Sequence, residues 1–223
     1  KRLIVTGDDF GMSMEVNKAI EEAHRQGILT TASLMIGAEA AVDAIDRARR
    51  LPSLRVGLHL VVVDGPAVSP AGANPDFSST KGDTYPHFVR AGIRFFFSPK
   101  ARRQLEVEIR AQFQAFKDTR LFLDHVNSHH HIHLHPTVLN ILLKVGKEYG
   151  LRAVRLPYEP PIPSWQASRK ALLRRVGIWL FLYPWITFIK SRLRGQHVCS
   201  NDFVYGMNDS GSMNLNLVLR ILK

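Results

Sequence analysis

Apolar residues along this chain fall into short continuous runs that alternate with stretches of helical spacing. Leu3–Thr6 form one such run, which ends at Gly7 and reads as a buried strand. Ser13 then precedes Val16, Ile20 and Ala23, apolar positions at helical spacing, with Gly27 as the stop. Thr30–Ile36 predicts a second strand and Ala38–Arg50 an alanine-rich helix. Arg55–Val63 predicts a third strand, apolar on both faces except at His59. The Gly-, Pro-, Ser-, Asn- and Asp-rich stretch Asp64–Pro86 reads as a lid or binding loop. Ser98 and Pro99 open a helix running to Lys117, with Leu105, Ile109, Phe113 and Phe116 inward. Phe122–Val126 predicts a strand, Pro136–Tyr149 a helix ended by Gly150, and Arg152–Leu156 a further strand.

Strands alternating with helices predict parallel pairing through right-handed crossovers. The expected fold class is therefore α/β, (β/α)-barrel-like, with mainly parallel strands and flanking helices in one domain over residues 1–223. The pattern changes in 160–198, a segment without a single acidic residue. There Arg169, Lys170, Arg174, Arg175, Lys190, Arg192 and Arg194 flank the apolar run Gly177–Ile189. Its 13 residues are too few to span a bilayer, and Pro184 predicts a kinked or split helix. This basic and aromatic helical insertion has two readings. One is an amphipathic pair of helices packed on the barrel or on a partner. The other is an interfacial segment with Trp179, Phe181 and Trp185 facing lipid. Lys223 falls within a helical pattern, so the C-terminus reads as truncated.

Composition narrows the picture. A hydrophobic content of 45% in 223 residues supports a real core. The single cysteine, Cys199, excludes an internal disulfide framework and fits a reducing compartment. A net charge of +11 calls for an anionic partner: nucleic acid, a membrane surface or an acidic substrate. No secretory pattern opens the chain, so the expected location is cytoplasmic, peripheral to the inner face of the membrane.

Six of the ten histidines lie within Leu123–Pro136: His125, His129, His130, His131, His133 and His135. On an extended backbone His129, His131 and His133 would share a face, a spacing that suits a borderline metal such as zinc. Asp8 and Asp9 follow the first strand, and His59 lies towards the end of the third. Singly, Asp9 reads as a helix cap, His59 as a hydrogen-bonded core histidine and the histidine run as a solvated loop. In a parallel α/β fold, however, strand C-terminal ends share one face, where active sites form. One carboxylate and two imidazoles converging there leave metal positions open for water and substrate. Of two adjacent carboxylates, one can bind the metal while its neighbour takes a proton from water.

Asp8-Asp9-Phe10-Gly11, Gly57-Leu58-His59, the Ser128-His129-x-His131-x-His133 run and Arg155-x-Pro157 resemble the YdjC-type carbohydrate deacetylases, from Leu3 to about Pro157. The wording around Asp124–Pro136, followed by Gly150–Pro157, is similar to the hopanoid-biosynthesis-associated branch. The resemblance implies a (β/α)-barrel-like hydrolase that removes N-acetyl groups from amino sugars with one divalent metal ion, Mg2+ or Zn2+. It implies Asp9, His59 and His129 as ligands and Asp8 as general base. The proton-donating acid is left among His131, His133 and a histidine beyond Lys223. Arg155 and Asn127 are candidate substrate-binding residues. Asn127 departs from the family pattern, which often has Asp there; a carboxylate partner is lost but a hydrogen bond to a histidine is retained.

The expected substrate is an N-acetylated sugar or glycolipid, with a GlcNAc head group on a hopanoid-type lipid first and soluble chitooligosaccharides as the alternative. Partners expected besides it are a peripheral membrane contact and a homodimer, with no nucleic acid. A metal-dependent phosphoesterase, calling for more ligands and a second metal, is one rival. A non-catalytic nucleic-acid-binding protein is the other, and it leaves the strand-end constellation without a use.

Overall fold

Each helix in the first part of the chain returns the backbone to the same edge, so successive strands lie side by side and run parallel. A computed structural model describes residues 3–70 and 88–222. In chain order the first elements are β1 (Thr6–Phe10), α1 (Met14–Arg25), β2 (Thr31–Leu34), α2 (Ala41–Arg50) and β3 (Arg55–Leu60). They are followed by α3 (Phe88–Phe97), α4 (Pro99–Asp118), β4 (Val126–Ser128), a 3-10 turn (His129–Leu134) and α5 (Pro136–Glu148). β1 pairs with β2, β2 with β3 and β3 with β4, all parallel. This is the expected α/β arrangement of parallel strands with flanking helices. Two compact units divide the chain, Lys1–Ala153 and Val154–Lys223.

In the first unit the strand faces are closed by apolar side chains from the helices. Leu105, Ile109, Phe113 and Phe116 of α4 are buried, as are Val138, Leu139, Leu142 and Val145 of α5. Ser13 and Ser98 cap α1 and α4, accepting from Val16 N–H at 3.3 Å and Ala101 N–H at 3.2 Å. α4 also carries a buried polar stripe. Glu108 accepts from the Val68 and Ser69 N–H groups, at 2.8 and 3.0 Å. Gln112 accepts from Val61 N–H at 3.0 Å. These bonds hold the segment after β3 against the core.

Several boundaries differ from the expectation. The first strand is Thr6–Phe10 rather than Leu3–Thr6, and Leu3 and Ile4 are exposed. β4 begins at Val126, not Phe122, which is 60% exposed. α3, which the sequence reading did not include, buries Ala91 and Phe95 and carries Arg90 and Arg94 four residues apart on another side. The lid expected over Asp64–Pro86 falls outside the described residues from 71 onward.

After β5 (Ala153–Val154), where the first unit ends, come α6 (Pro161–Ser168), α7 (Leu172–Gly195), β6 (Cys199–Ser200) and α8 (Leu215–Ile221) of the second unit. Pro184 does not split α7, which runs unbroken for 24 residues. By length and composition alone α7 could cross a membrane, which the 13-residue apolar run did not suggest. Its packing is set by a buried ion cluster. The Arg175 guanidinium donates to both Asp209 carboxylate oxygens at 2.8 Å, and its Nη1 lies 3.8 Å from Glu159 Oε1. Ser168 Oγ accepts from Arg175 at 2.8 Å, and Ser164 Oγ accepts from it as well. Glu159 also accepts from the Gly206 and Asn208 N–H groups, at 3.1 and 2.9 Å, so its charge is met by several donors.

Candidate active site

The site begins with an irregularity in β1. Gly7 and Phe10 face Ala32 and Leu34 of β2, so three steps on β1 match two on its neighbour. Asp8 and Asp9 occupy this bulge, and Asp9 adopts a left-handed backbone with φ of 58°. On a straight strand the two side chains would point to opposite faces; the bulge re-aims them towards one cluster. Gly11 follows with φ of 98°, and a Cβ there would lie 3.1 Å from the Met35 carbonyl oxygen. The glycine of the first motif is thus a backbone requirement.

Parallel register supplies the next contacts. His59 of β3 faces Asn127 of β4, and both are buried. Asn127 Oδ1 accepts from His59 Nδ1 at 2.8 Å, which leaves the lone pair on Nε2. Asn127 Nδ2 donates to Asp8 Oδ1 at 3.2 Å. One amide therefore orients both a histidine and a carboxylate. Gly57 keeps this layer open, since a Cβ there would come within 2.6 Å of the His125 ring.

Asp9 Oδ1 lies 3.2 Å from His59 Nε2 and 3.4 Å from His129 Nδ1. Asp9 Oδ1 and His59 Nε2 are buried, and neither has a hydrogen-bond partner among the described residues. Orphaned buried polar atoms are costly, and two electron-pair donors converging on one point are what a cation would satisfy. Asp9, His59 and His129 offer ligand atoms all within 4.8 Å of one another. A carboxylate with two imidazoles fits a divalent ion and leaves coordination positions open. The imidazoles of His129 and His59 hold the Asp9 carboxyl well below the usual carboxylate range, against burial. Asp9 in turn raises the pKa of His129, again against burial.

The histidine run does not keep its expected alternation. His130 and His131 both adopt left-handed φ, 52° and 54°, inside the 3-10 turn. That geometry sends successive rings to different places, so His129, His131 and His133 do not share a face. His129 joins Asp9 and His59. His133 is fully buried, with Nδ1 at 2.6 Å from Ser128 Oγ. The half-buried His131 ring stands 6.4 Å from that of His133. His135 accepts from Thr137 N–H at the start of α5, and burial lowers its pKa. Asp124 lies beside His125 Nδ1 at 3.1 Å, and Ser33 Oγ is 3.0 Å from His125 Nε2.

Sequence reading missed Asp64. Its carboxylate meets His130 Nε2 at 3.1 Å, and Asp64, His129 and His130 form a second, more exposed group with metal-ligating atoms. Its position just after the third apolar run was the available signal. Arg155 lies just beyond β5 in the second unit and is half-buried. On α7, Phe181 is 82% exposed and Trp185 stacks on Phe188 with centroids 5.3 Å apart. Trp179 does not share that open face: its indole N–H donates to the Tyr158 hydroxyl at 3.0 Å.

Fold and cluster together define an α/β protein with an Asp-His-His cluster, able to hold a cation, at the C-terminal ends of parallel strands. The chain belongs to the YdjC-like protein family, whose profile matches residues 2–223. It is 39% identical over 160 residues to a carbohydrate deacetylase of Brevibacillus brevis, covering 70% of this chain and 60% of that protein. A carbohydrate deacetylase of Vibrio parahaemolyticus is 32% identical over 166 residues, covering 74% and 63%. The chain thus spans about three-fifths of the length of these relatives. A crystal structure from Enterococcus faecalis V583, of a protein named for cellobiose-phosphate cleavage, matches with a TM-score of 0.70. At 22% identity, covering all of this chain and 74% of the other, that likeness speaks to the fold.

Proposed function

We propose that this protein is a metal-dependent hydrolase that removes the N-acetyl group from an N-acetylated amino sugar. The observation that carries the reading is the pair of unpartnered ligand atoms, Asp9 Oδ1 and His59 Nε2, converging with His129 beside a tethered Asp8. The carbohydrate deacetylases among its relatives support the substrate class. Asp9, His59 and His129 would hold one divalent ion, Mg2+ or Zn2+. When bound, that ion supplies Lewis acidity toward the acetyl carbonyl.

The chain's own groups account for the proton movements. Asp8, held through Oδ1 by Asn127, takes the proton of the attacking water. The water oxygen joins the acetyl carbon, the C–N bond breaks, and acetate leaves. The departing amine needs a proton, and His131 is the more accessible donor of the two histidines. His133 is enclosed and engaged by Ser128, whereas His131 is half-buried. The likeness of the Asp124–Pro136 wording to the hopanoid-associated branch supports a GlcNAc head group on a lipid as the particular substrate.

Mass spectrometry of N-acetylglucosaminyl lipids and of chitooligosaccharides incubated with the metal-loaded protein tests this. Loss of one acetyl from the lipid set supports the finer reading, and loss only from the soluble set replaces the lipid by an oligosaccharide. Absence of both losses overturns deacetylation. The Asp64-His129-His130 group is the one observation that favours a two-metal phosphoesterase. Turnover of phosphate esters with no loss of acetyl would select that reaction.

A further inference from the structure

α7 is apolar on two opposite sides, and only one of them is packed. Arg175, Ile186, Ile189 and Leu193 recur at helical spacing on one side and are buried at 2%, 2%, 0% and 0% exposure. Leu173, Leu180, Phe181 and Phe188 recur at the same spacing on the other side, with 87%, 60%, 82% and 53% exposure. Gly177 and Pro184 fall on that open side too, and both are exposed. Scattered exposed apolar residues need no explanation, but a continuous helical stripe of large ones marks a surface that something covers.

Charge indicates what covers it. Residues 160–201 hold no acidic side chain, while Arg169, Lys170, Arg174, Lys190, Arg192 and Arg194 bracket the apolar stretch. Arg175 is the exception, since its charge is met inside the unit by Asp209 and Glu159. The same ion cluster argues against α7 crossing a bilayer. Its inner side is fixed to its own unit through Arg175 and through the Trp179–Tyr158 hydrogen bond. Spanning would tear out a buried ion pair and place a bare guanidinium in hydrocarbon. A helix anchored on one side, apolar on the other and bracketed by cations is built to lie along a lipid surface.

We propose that α7 is an interfacial helix whose Leu173, Leu180, Phe181 and Phe188 side docks on an anionic membrane surface. The apolar side chains enter the boundary between headgroups and acyl chains, while the flanking arginines and lysines meet lipid phosphates. Nothing in this rests on the reaction proposed above.

Co-sedimentation of the full chain with phosphatidylcholine vesicles, with and without phosphatidylglycerol, tests it. Binding is expected on the anionic vesicles and should fall as salt rises. Replacing Leu180→Ser and Phe181→Ser together should weaken partitioning by about tenfold or more, because two large apolar side chains no longer enter the lipid. Arg192→Gln with Arg194→Gln should flatten the salt dependence. Unchanged circular dichroism and metal content in both variants guard against misfolding. Equal partitioning of the Leu180/Phe181 variant and the parent would overturn the proposal. Absence of vesicle binding would overturn it as well. So would a parent dimer, seen by light scattering, that the same two changes convert to monomer while vesicle binding persists unaltered.

Discussion

The strand-end cluster of the first unit and α7 of the second depart from ordinary protein chemistry in opposite directions. The cluster buries polar atoms without hydrogen-bond partners among the described residues, Asp9 Oδ1 and His59 Nε2. α7 exposes large apolar side chains, Phe181 at 82% and Leu173 at 87%. A buried polar atom wants an ion or a donor, and an exposed apolar stripe wants an apolar surface. Each anomaly therefore names the chemistry of what is missing. The first has the ligand chemistry for a small cation, the second the apolar face of the lipid docking proposed above, and a single chain carries both in separate units.

The largest effects fall on the cluster. His59→Ala, His129→Ala and Asp9→Asn should each abolish tight binding of one divalent ion while the fold is kept. Elemental analysis checks this, and full metal content in all three variants would remove the ligand assignment. Asp8→Asn should keep the metal yet lower turnover by roughly two to four orders of magnitude, the usual contribution of a general base. If Asp8→Asn loses the metal while Asp9→Asn holds it, the two aspartates exchange roles.

How these residues were legible in the sequence follows from where they sit. Asp9, His59 and His129 stand at or near strand ends, and apolar runs mark strands, so their convergence could be argued from topology alone. What set the geometry was invisible. The β1 bulge, the left-handed Asp9 and the left-handed pair His130 and His131 are backbone conformations that no residue pattern announces. Hence the residue pattern puts the aspartates after the strand rather than within it, and the histidines on one face where the turn separates them. Asp64 was read as part of a loop, although Glu108 and Gln112 pin the backbone that carries it. On α7, the cations and aromatics were plain in the sequence. The aromatic pattern puts Trp179 on the open side, because only the Tyr158 hydroxyl, distant in the chain, reveals that it faces inward.

The second unit has its own buried charges, but there every one is met, and this contrast can be tested. Arg175→Met should cost about 3–5 kcal/mol of stability in chemical denaturation, because Asp209 and Glu159 are left buried without their cation. A cost near zero would mean that the cluster is solvated. A smaller effect belongs to Asn127, which touches the His59 ring and the Asp8 carboxylate. Asn127→Ala should weaken metal affinity by roughly 10–100-fold, the range typical of a partner that orients a ligand. Isothermal titration with Zn2+ reads it, and an unchanged affinity would show that β3 and β4 alone position His59.

The smallest predicted effect is the most discriminating for α7. Phe181 and Ile189 lie two turns apart on one helix, at 82% and 0% exposure. Ile189→Ala removes packed atoms and should cost about 2–5 kcal/mol, part of it the cavity left behind. Phe181→Ser removes a larger side chain, yet it should change stability by no more than about 0.5 kcal/mol, because that side chain is 82% exposed. Denaturant melts of both variants in lipid-free buffer read the difference. A Phe181→Ser cost matching that of Ile189→Ala would place the open stripe inside a packed interface in solution, and the contrast between a satisfied and an unsatisfied side of α7 would collapse. A neutral Phe181→Ser confirms that whatever this stripe is selected for, it is not the stability of the chain that carries it.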